Sequence, residues 1–353
     1  MTDVPGLDTA GLSAWMAREH PELAPHPDTP LSAEVIAGGR SNLTYRVDGA
    51  SLPLVLRRPP LGHVLSSAHD MRREHRVISA LGASDVPVPA TVDVVDDTTR
   101  GEVTGTTFFV MERVEGTVLS RPEQNAGFTT SGLHHLGLTL ARTLADLHRV
   151  EPADVGLADF GRPDGYLDRQ LTTWRRQYDA SRSRGLPALD ELQERLTSHV
   201  PDSGRTGIVH GDYRLDNVLV AGTRQRPTIA AVLDWEMATL GDPLVDLGLL
   251  GLYWDIRSLS AGAVAASAVV PDVGYPTFDE LVDTYAARTG TTTPDLWWYR
   301  AFAAYKLAVI LEGIHYRYRA GETVGDGFDT IGDLVAPLAA DGLARAAARP
   351  RST

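Results

Sequence analysis

The stretch His-Gly-Asp-Tyr-Arg-Leu-Asp-Asn at residues 210–217 lies between two short apolar runs, GIV and VLV. This placement predicts a polar loop between two short strands. Within the loop, Asp212 and Asn217 are five residues apart, and Asp234 follows at the end of another apolar run, in AVLDWE. A short carboxylate such as Asp212, considered alone, more often caps a turn. Its meaning therefore depends on the residues around it.

Outside this loop, the pattern of apolar residues changes near residues 114–118 from one typical of strands to one typical of helices. Short β-rich runs extend from about Ala33 to Val118, with one helical segment among them, SSAHDMRREHRVISALG. The pattern predicts five antiparallel strands and one main helix that begins after Ser67 as N-cap and ends at Gly82. After Gly116 amphipathic helices dominate, and the strand-and-loop segment around residue 212 interrupts them. We expect an α+β fold with a helical extension over 1–30, a strand-rich lobe over 31–116 and a helical lobe over 117–345.

Composition narrows the function. The chain has 353 residues, of which 43% are hydrophobic, enough for the cores of two lobes. It has no cysteine, which excludes disulfides, thiolate zinc sites and a cysteine nucleophile. The formal net charge of −13 argues against nucleic acid or an anionic membrane as the main partner. The N-terminus does not resemble a secretory signal, and no apolar run is long enough to span a bilayer, so we expect a cytoplasmic protein. Monomer and dimer both stay open.

Phosphoryl transfer needs few protein groups. A carboxylate orients the acceptor hydroxyl and takes its proton, and oxygen ligands hold magnesium on the phosphates. One aspartate for the alcohol, with an asparagine and a second aspartate for the metal, meets that requirement. The hydrolase alternative, a metal-dependent enzyme using His210, Asp212, Asp234 and Asp242, would need further histidines.

The spacing H-x-D-x-x-x-x-N followed by a second Asp resembles that of the protein-kinase-like superfamily. The HGD and DWE forms resemble the aminoglycoside phosphotransferase and choline kinase family, and the wider set of motifs resembles the subfamily whose members also occur fused to acyl-CoA dehydrogenases. These further motifs are GGRSNLTYRV, LVLRRPP, RREHRVISAL, VPVPA, FFVMERVEG, LADLHRV, GLADFGRPDGYL and VLDWEMATLGDPLVDL. The resemblance implies a bilobal kinase-like fold and a phosphotransferase that uses ATP and Mg²⁺ on a hydroxylated small molecule.

Carried over by position, the resemblance makes Asp212 the catalytic base and Asn217 and Asp234 the magnesium ligands. Arg214 would face the transferred phosphate and offset its developing charge, although a solvated loop arginine is an equal alternative. His210 and Asp246 would support the loop.

In the first lobe the resemblance implies a nucleotide site. Arg57 stands where kinases usually place a lysine that binds the α- and β-phosphates, and Glu74 would be its partner. The other predicted contacts are the glycine turn with Gly39, Ser41 and Asn42, and the backbone beside adenine from Glu112 to Val114.

The sequence leaves the identity of the phosphate acceptor open. A hydroxyacyl-CoA would need basic groups for its phosphates, and the helical lobe offers Arg169, Arg175, Arg176, Lys306 and Arg317. An aminoglycoside would need a pocket lined by carboxylates. A nucleotide-binding pseudokinase is the remaining alternative.

Overall fold

The structure, a computed structural model, describes residues 4–24, 29–36, 42–61, 70–202, 204–259, 267–291, 295–321 and 328–348. The chain forms two compact units. The first contains Met1–Glu115 together with Ala230–Ala238, and the second contains Gly116–Ile229 and Thr239–Thr353. The segment Ala230–Ala238 therefore belongs to the first unit although it follows part of the second in sequence. Within the first unit, Val232 N–H donates to Pro87 O at 2.8 Å.

The first unit contains a five-stranded antiparallel sheet in the order β1-β2-β3-β5-β4. This is the sheet that the alternating apolar runs predict. Its elements, with the two helices of the unit, are α1 (Thr9–Glu19), β1 (Ser32–Val35), β2 (Leu43–Asp48), β3 (Leu54–Arg58), α2 (Met71–Leu81), β4 (Thr91–Asp96) and β5 (Thr107–Glu112).

The start of α2 differs from the prediction of Ser67 as N-cap. The helix begins at Met71, and Asp70 caps it with extended backbone and a carboxylate that accepts Arg73 N–H at 3.0 Å. Aspartate is as good an N-cap as serine, so Asp70 can start the helix three residues later than predicted. Ser67 itself lies outside the described residues. The predicted end is confirmed, since Gly82 is the C-cap.

Helix α1 belongs to the core of the first unit. Its buried face, with Leu12, Trp15 and Met16, packs in one hydrophobic cluster with sheet residues that include Tyr45 and Phe108. The segment before α1 is tied to the sheet as well, because Tyr45 OH donates to Pro5 O at 2.7 Å. The N-terminal extension thus completes the sheet's core.

The second unit is mostly helical, with two small two-stranded sheets. Its elements are α3 (Thr130–Arg149), α4 (Tyr166–Ser181), α5 (Pro187–Thr197), β6 (Gly207–Val209), β7 (Val218–Gly222), β8 (Pro227–Val232, of which the first three residues belong here), β9 (Thr239–Gly241), α6 (Leu244–Leu259), α7 (Phe278–Thr289), α8 (Trp297–Arg319) and α9 (Val335–Ala347). Among the helices of the described residues, none has the length and apolarity to cross a membrane.

The polar loop at 210–217 lies between β6 and β7, as its flanking apolar runs predict. Strand β6 pairs antiparallel with β9, and all three residues of β6 are buried. A short turn of 3₁₀ helix over Leu215–Asn217 closes the loop. The loop therefore starts and ends on buried strands, which fixes its two ends.

Candidate active site

The backbone of the loop is bound by a buried carboxylate. Asp246, in the first turn of α6, accepts His210 N–H at 2.6 Å and Gly211 N–H at 2.8 Å, and its Oδ2 lies 3.3 Å from His148 Nε2. Burial acts to raise the pKa of Asp246, but the contacts with His148 and His210 outweigh burial and hold the pKa below its usual value. Asp246 thus supports the loop as the sequence predicts.

Gly211 has a conformation that explains why this position is glycine. Its φ is 85°, in the left-handed region, where a Cβ atom adds strain. The next amide, Asp212 N–H, turns back and donates to His210 Nδ1 at 3.2 Å. The left-handed turn at Gly211 therefore brings Asp212 out of the buried backbone, and the Asp212 side chain is 26% exposed.

Asp212 and Asn217 are in direct contact. Asn217 Nδ2 donates to the Asp212 backbone oxygen at 2.8 Å and to the Asp212 carboxylate Oδ2 at 2.9 Å. These two bonds assign the orientation of the amide. The Asn217 side-chain oxygen is consequently the atom that is left for a cation, and Asp212 Oδ1 is left for a proton donor.

Arg214 lies between two carboxylates of the same loop. Its guanidinium is 3.4 Å from Asp212 Oδ2 and 3.1 Å from Asp216 Oδ2, and it lies over the ring of Tyr253, 4.6 Å from the ring centroid. Burial raises the pKa of Asp216 to about 6, against the effect of Arg214. Of the two alternatives for Arg214, the structure does not show a solvated side chain. Its approach to a phosphate stays a prediction.

In the first unit, Arg57 joins three carboxylates. Its guanidinium is 3.2 Å from Glu74 Oε2, 2.6 Å from Asp234 Oδ1 and 3.8 Å from Glu236 Oε2. Glu74 is on α2 and 2% exposed, and burial raises its pKa to about 7 although Arg57 opposes the shift. Asp234 has a φ of 64°, which is strained for a residue with a side chain and typical of functional sites.

The sequence prediction missed Glu236, which joins two of the predicted nucleotide residues. Besides its approach to Arg57, Glu236 Oε2 accepts Asn42 Nδ2 at 3.1 Å. The DWE motif, with carboxylates two residues apart, was the signal that could have found it. The other two residues of the predicted glycine turn, Gly39 and Ser41, lie outside the described residues.

The predicted adenine contact lies at the end of β5. Glu112 N–H donates to Ala90 O at 2.8 Å and Arg113 N–H donates to Pro53 O at 2.9 Å, so the sheet uses both amides. Within the described residues, Val114 N–H has no acceptor. Of the predicted amides, Val114 is therefore the donor that a ligand could use.

Lys306 does not have the surface position expected of a phosphate-binding cation. It is buried, and its Nζ donates to Gly211 O at 2.7 Å. Arg169 and Arg175 are likewise engaged, Arg169 with the backbone oxygens of Arg162 and Asp164, and Arg175 with Asp179 at 3.0 Å. Arg176 and Arg317 are exposed. Three of the five predicted basic groups are thus engaged by the protein itself, Lys306 in the interior and Arg169 and Arg175 at the surface.

Asp242, the fourth residue of the hydrolase alternative, is engaged within the protein. Asp242 accepts Leu244 N–H at 2.9 Å with one oxygen and Tyr299 OH at 2.7 Å with the other, so it joins the start of α6 to α8. No group of three or more His, Asp and Glu side chains could hold a metal ion in the part of the chain that the structure describes. Magnesium in a nucleotide site needs fewer protein groups, because phosphates complete its shell.

The five-stranded sheet with α2 and the helical second unit define a protein-kinase-like fold. The family model described as the phosphotransferase enzyme family matches residues 32–295. The chain belongs to this family, and we conclude that it is a phosphotransferase.

Known proteins resemble this chain in sequence, in structure or in both. Acyl-CoA dehydrogenase family member 11 of Gallus gallus is 33% identical over 345 residues, which is 96% of this chain and 43% of the relative. The chain thus spans less than half of the length of that relative. A candidate aminoglycoside phosphotransferase of Ralstonia eutropha JMP134 is 32% identical, with a TM-score of 0.81 over 97% of this chain and 98% of that chain. A thermostable mutant of aminoglycoside phosphotransferase APH(4)-Ia, solved with AMP-PNP and hygromycin B, is 14% identical with a TM-score of 0.60 over 97% of this chain and 99% of that chain, and shares the fold.

Proposed function

We propose that the protein transfers the γ-phosphate of ATP, with magnesium, to a hydroxyl group of a small molecule. The contact between Asp212 and Asn217 is the observation that carries the proposal. One short loop presents a partly exposed carboxylate and, beside it, an amide whose nitrogen is used and whose oxygen is left for a cation. A base next to a metal ligand is what phosphoryl transfer to an alcohol requires.

The donor set suits magnesium. Asn217 Oδ1 and the Asp234 carboxylate are hard oxygen ligands, and one or two such protein groups are usual in nucleotide sites. When bound, the ion would neutralise negative charge on the phosphates of the nucleotide. Asp234 already contacts Arg57, so the chain offers a cation and a metal ligand side by side in the first unit.

The first unit also carries groups suited to a nucleotide. Arg57 is a permanent cation, 12% exposed, and its buried partner Glu74 fixes its direction. Val114 N–H is a donor for the edge of a purine. The APH(4)-Ia structure holds AMP-PNP, an ATP analogue, in the same fold. This likeness supports ATP as the phosphate donor.

In the proposed reaction, Asp212 accepts the proton of the acceptor hydroxyl as the hydroxyl oxygen attacks the γ-phosphorus of ATP. The bond from the γ-phosphorus to the β,γ-bridging oxygen breaks, and ADP leaves. Asn217 and the Gly211 backbone keep the carboxylate in place, so that little entropy is lost when the acceptor binds. Arg214 is bound to Asp212 on one side, and its positive charge offsets charge that develops during transfer.

For the acceptor we propose a hydroxyacyl-CoA. Its support is that curated relatives which cover 96% of the chain are named acyl-CoA dehydrogenases, since their names refer to acyl-CoA thioesters. The alternative is an aminoglycoside, supported by the Ralstonia protein.

The test compares wild-type protein with Asp212→Asn and with Asp179→Asn, a matched change of a half-exposed aspartate on α4. Mass spectrometry follows the phosphate gain of hydroxyacyl-CoAs and aminoglycosides, side by side, with ATP and Mg²⁺. We expect Asp212→Asn to lose about 100-fold or more in kcat, because general base catalysis contributes on that order. Its affinity for ATP and the activity of Asp179→Asn should be unchanged.

Two outcomes would contradict the proposal. Binding of ATP by the wild-type protein without transfer to any acceptor would indicate a pseudokinase. Cleavage of phosphate esters without ATP would indicate a hydrolase.

A further inference from the structure

The chain contains a single lysine. Of its 33 basic residues, 32 are arginines, and the exception is Lys306 in the middle of α8. All other positions that need a cation use a guanidinium, including Arg57, where related kinases use lysine. A composition this biased against lysine indicates that position 306 needs an ammonium group in particular.

Lys306 lies in a closed site beneath the polar loop. The residue is 6% exposed, its Nζ donates to Gly211 O at 2.7 Å, and it lies 5.4 Å from the centroid of the Trp174 ring. Burial lowers its pKa, while Asp212 and Asp246 act in the opposite direction. A buried cation is costly unless it is compensated, and here one carbonyl, an aromatic face and two carboxylates provide that compensation.

The bond from Lys306 fixes the peptide group that carries Asp212. The oxygen of the Gly211–Asp212 peptide accepts from Lys306, and its N–H donates to His210 Nδ1 at 3.2 Å. The preceding peptide is bound by Asp246 through Gly211 N–H at 2.8 Å. Gly211 itself has no side chain and a left-handed backbone, so without such bonds this turn would be the most adaptable point of the loop.

We infer that Lys306 is a positioning residue for the proposed base, because its bond to Gly211 O sets the direction in which Asp212 leaves the loop. This inference rests on the proposed function of Asp212. Within the described part of the chain, Lys306 Nζ meets one hydrogen-bond acceptor, Gly211 O, and the face of the Trp174 ring, so an ammonium with three N–H donors leaves fewer of them unsatisfied than a guanidinium. An arginine would bring five N–H donors that need further acceptors.

The kinetic test uses Lys306→Met, which keeps the length of the side chain and removes the donor and the charge. Glu312→Gln is the matched control, since Glu312 is on the same helix, is fully buried and binds Arg184 and Ser183 away from the loop. Lys306→Met should lower kcat about 100-fold, as expected for a displaced catalytic group, with KM for ATP unchanged. Glu312→Gln should keep kcat in the fraction that folds.

A second comparison separates positioning from general stability. In an Asp212→Asn background, the residual transfer rate should fall less than about threefold further on Lys306→Met, because both changes remove the same contribution. An independent 100-fold loss in that background would overturn the inference, and so would an unchanged kcat in folded Lys306→Met.

If Lys306→Met does not fold, NMR of the lysine side chain in the wild-type protein tests the inference instead. Labelling with [¹³C,¹⁵N]lysine gives one side-chain signal in the NMR spectrum, because the chain has one lysine. We expect its ammonium protons to exchange slowly with water, and its signal to shift in Asp212→Asn but not in Glu312→Gln. A rapidly exchanging ammonium, or a signal insensitive to Asp212→Asn, would overturn the inference. This readout needs no turnover, so it remains decisive if the wild-type protein transfers no phosphate and the proposed function fails.

Discussion

Replacing Asp246 by asparagine tests how much the polar loop depends on its buried carboxylate. Asp246 is fully buried and accepts two backbone amides of the loop, His210 N–H at 2.6 Å and Gly211 N–H at 2.8 Å. The two amides approach different oxygens of the carboxylate. An asparagine has only one oxygen, so one amide would face an NH₂ group and lose its acceptor.

The expected cost follows from these bonds. A hydrogen bond to a charged group contributes about 1.5–3 kcal/mol, and a buried donor without an acceptor costs about 1–3 kcal/mol. One amide loses its acceptor and the other bond becomes neutral, which weakens it by about 1 kcal/mol, so Asp246→Asn should reduce the free energy of unfolding by about 2–4 kcal/mol. Loss of the charge beside His148 adds to this cost. Because the loop that carries Asp212 would also shift, kcat of the folded protein should fall.

The assay is urea denaturation followed by circular dichroism, with Asp242→Asn as the control. Asp242 is equally buried and four residues away, but its partners are one amide, Leu244 N–H, and a hydroxyl, Tyr299 OH. An asparagine oxygen can accept the amide, and the hydroxyl can accept from the new NH₂ group, so we expect a loss of about 1 kcal/mol. Equal losses in the two variants, or an Asp246→Asn variant as stable as wild type, would refute the reasoning.

Two further predictions concern the first unit. Arg57→Met should weaken ATP binding about 10- to 100-fold, because it removes a charged contact, whereas Arg46→Met on the exposed face of β2 should not; isothermal titration calorimetry measures both. Asp97 accepts four backbone amides, from Glu102 to Gly105, at 2.7–2.9 Å. Burial acts to raise its pKa, but the four bonds outweigh burial and lower it. The carboxylate therefore stabilises the fold above the unfolded pKa of about 4, and this contribution is lost as pH falls through the lower folded pKa. Asp97→Asn should lose less stability than wild type between pH 5 and pH 2, as thermal denaturation would show; equal slopes would contradict the prediction.

Local patterns predicted most of the fold. The five strands and the helices α2 and α3 follow from apolar residues repeating at the period of a strand or a helix. The contact of Arg57 with Glu74 was also predicted, because the resemblance to kinases implies that these two positions are paired. These features depend on residues that are near in sequence or on a motif that fixes their order.

The sequence could not predict contacts that join distant segments. Lys306 is 95 residues from Gly211, and only the packing of α8 brings its Nζ to the loop. The sequence therefore offered Lys306 only as one of several basic groups for an acyl-CoA, and did not show that it binds the loop. Arg58 shows the same limit: it binds Gly6 O and Thr104 O, 52 and 46 residues away. Periodicity shows which face of a helix is buried, but not which group it meets.

The number of acceptors at each site explains the distribution of cations in this chain. Arg57 contacts three carboxylates at once and Arg214 contacts two, and a planar group with five donors can serve such sets. An ammonium at position 57 would bond fewer of them and would leave buried Glu74 less well compensated. Lys306 meets one carbonyl oxygen, where a guanidinium would leave donors unsatisfied. The arginine at position 57 and the lysine beneath the loop thus have one physical cause, the hydrogen-bonding capacity that each site can satisfy.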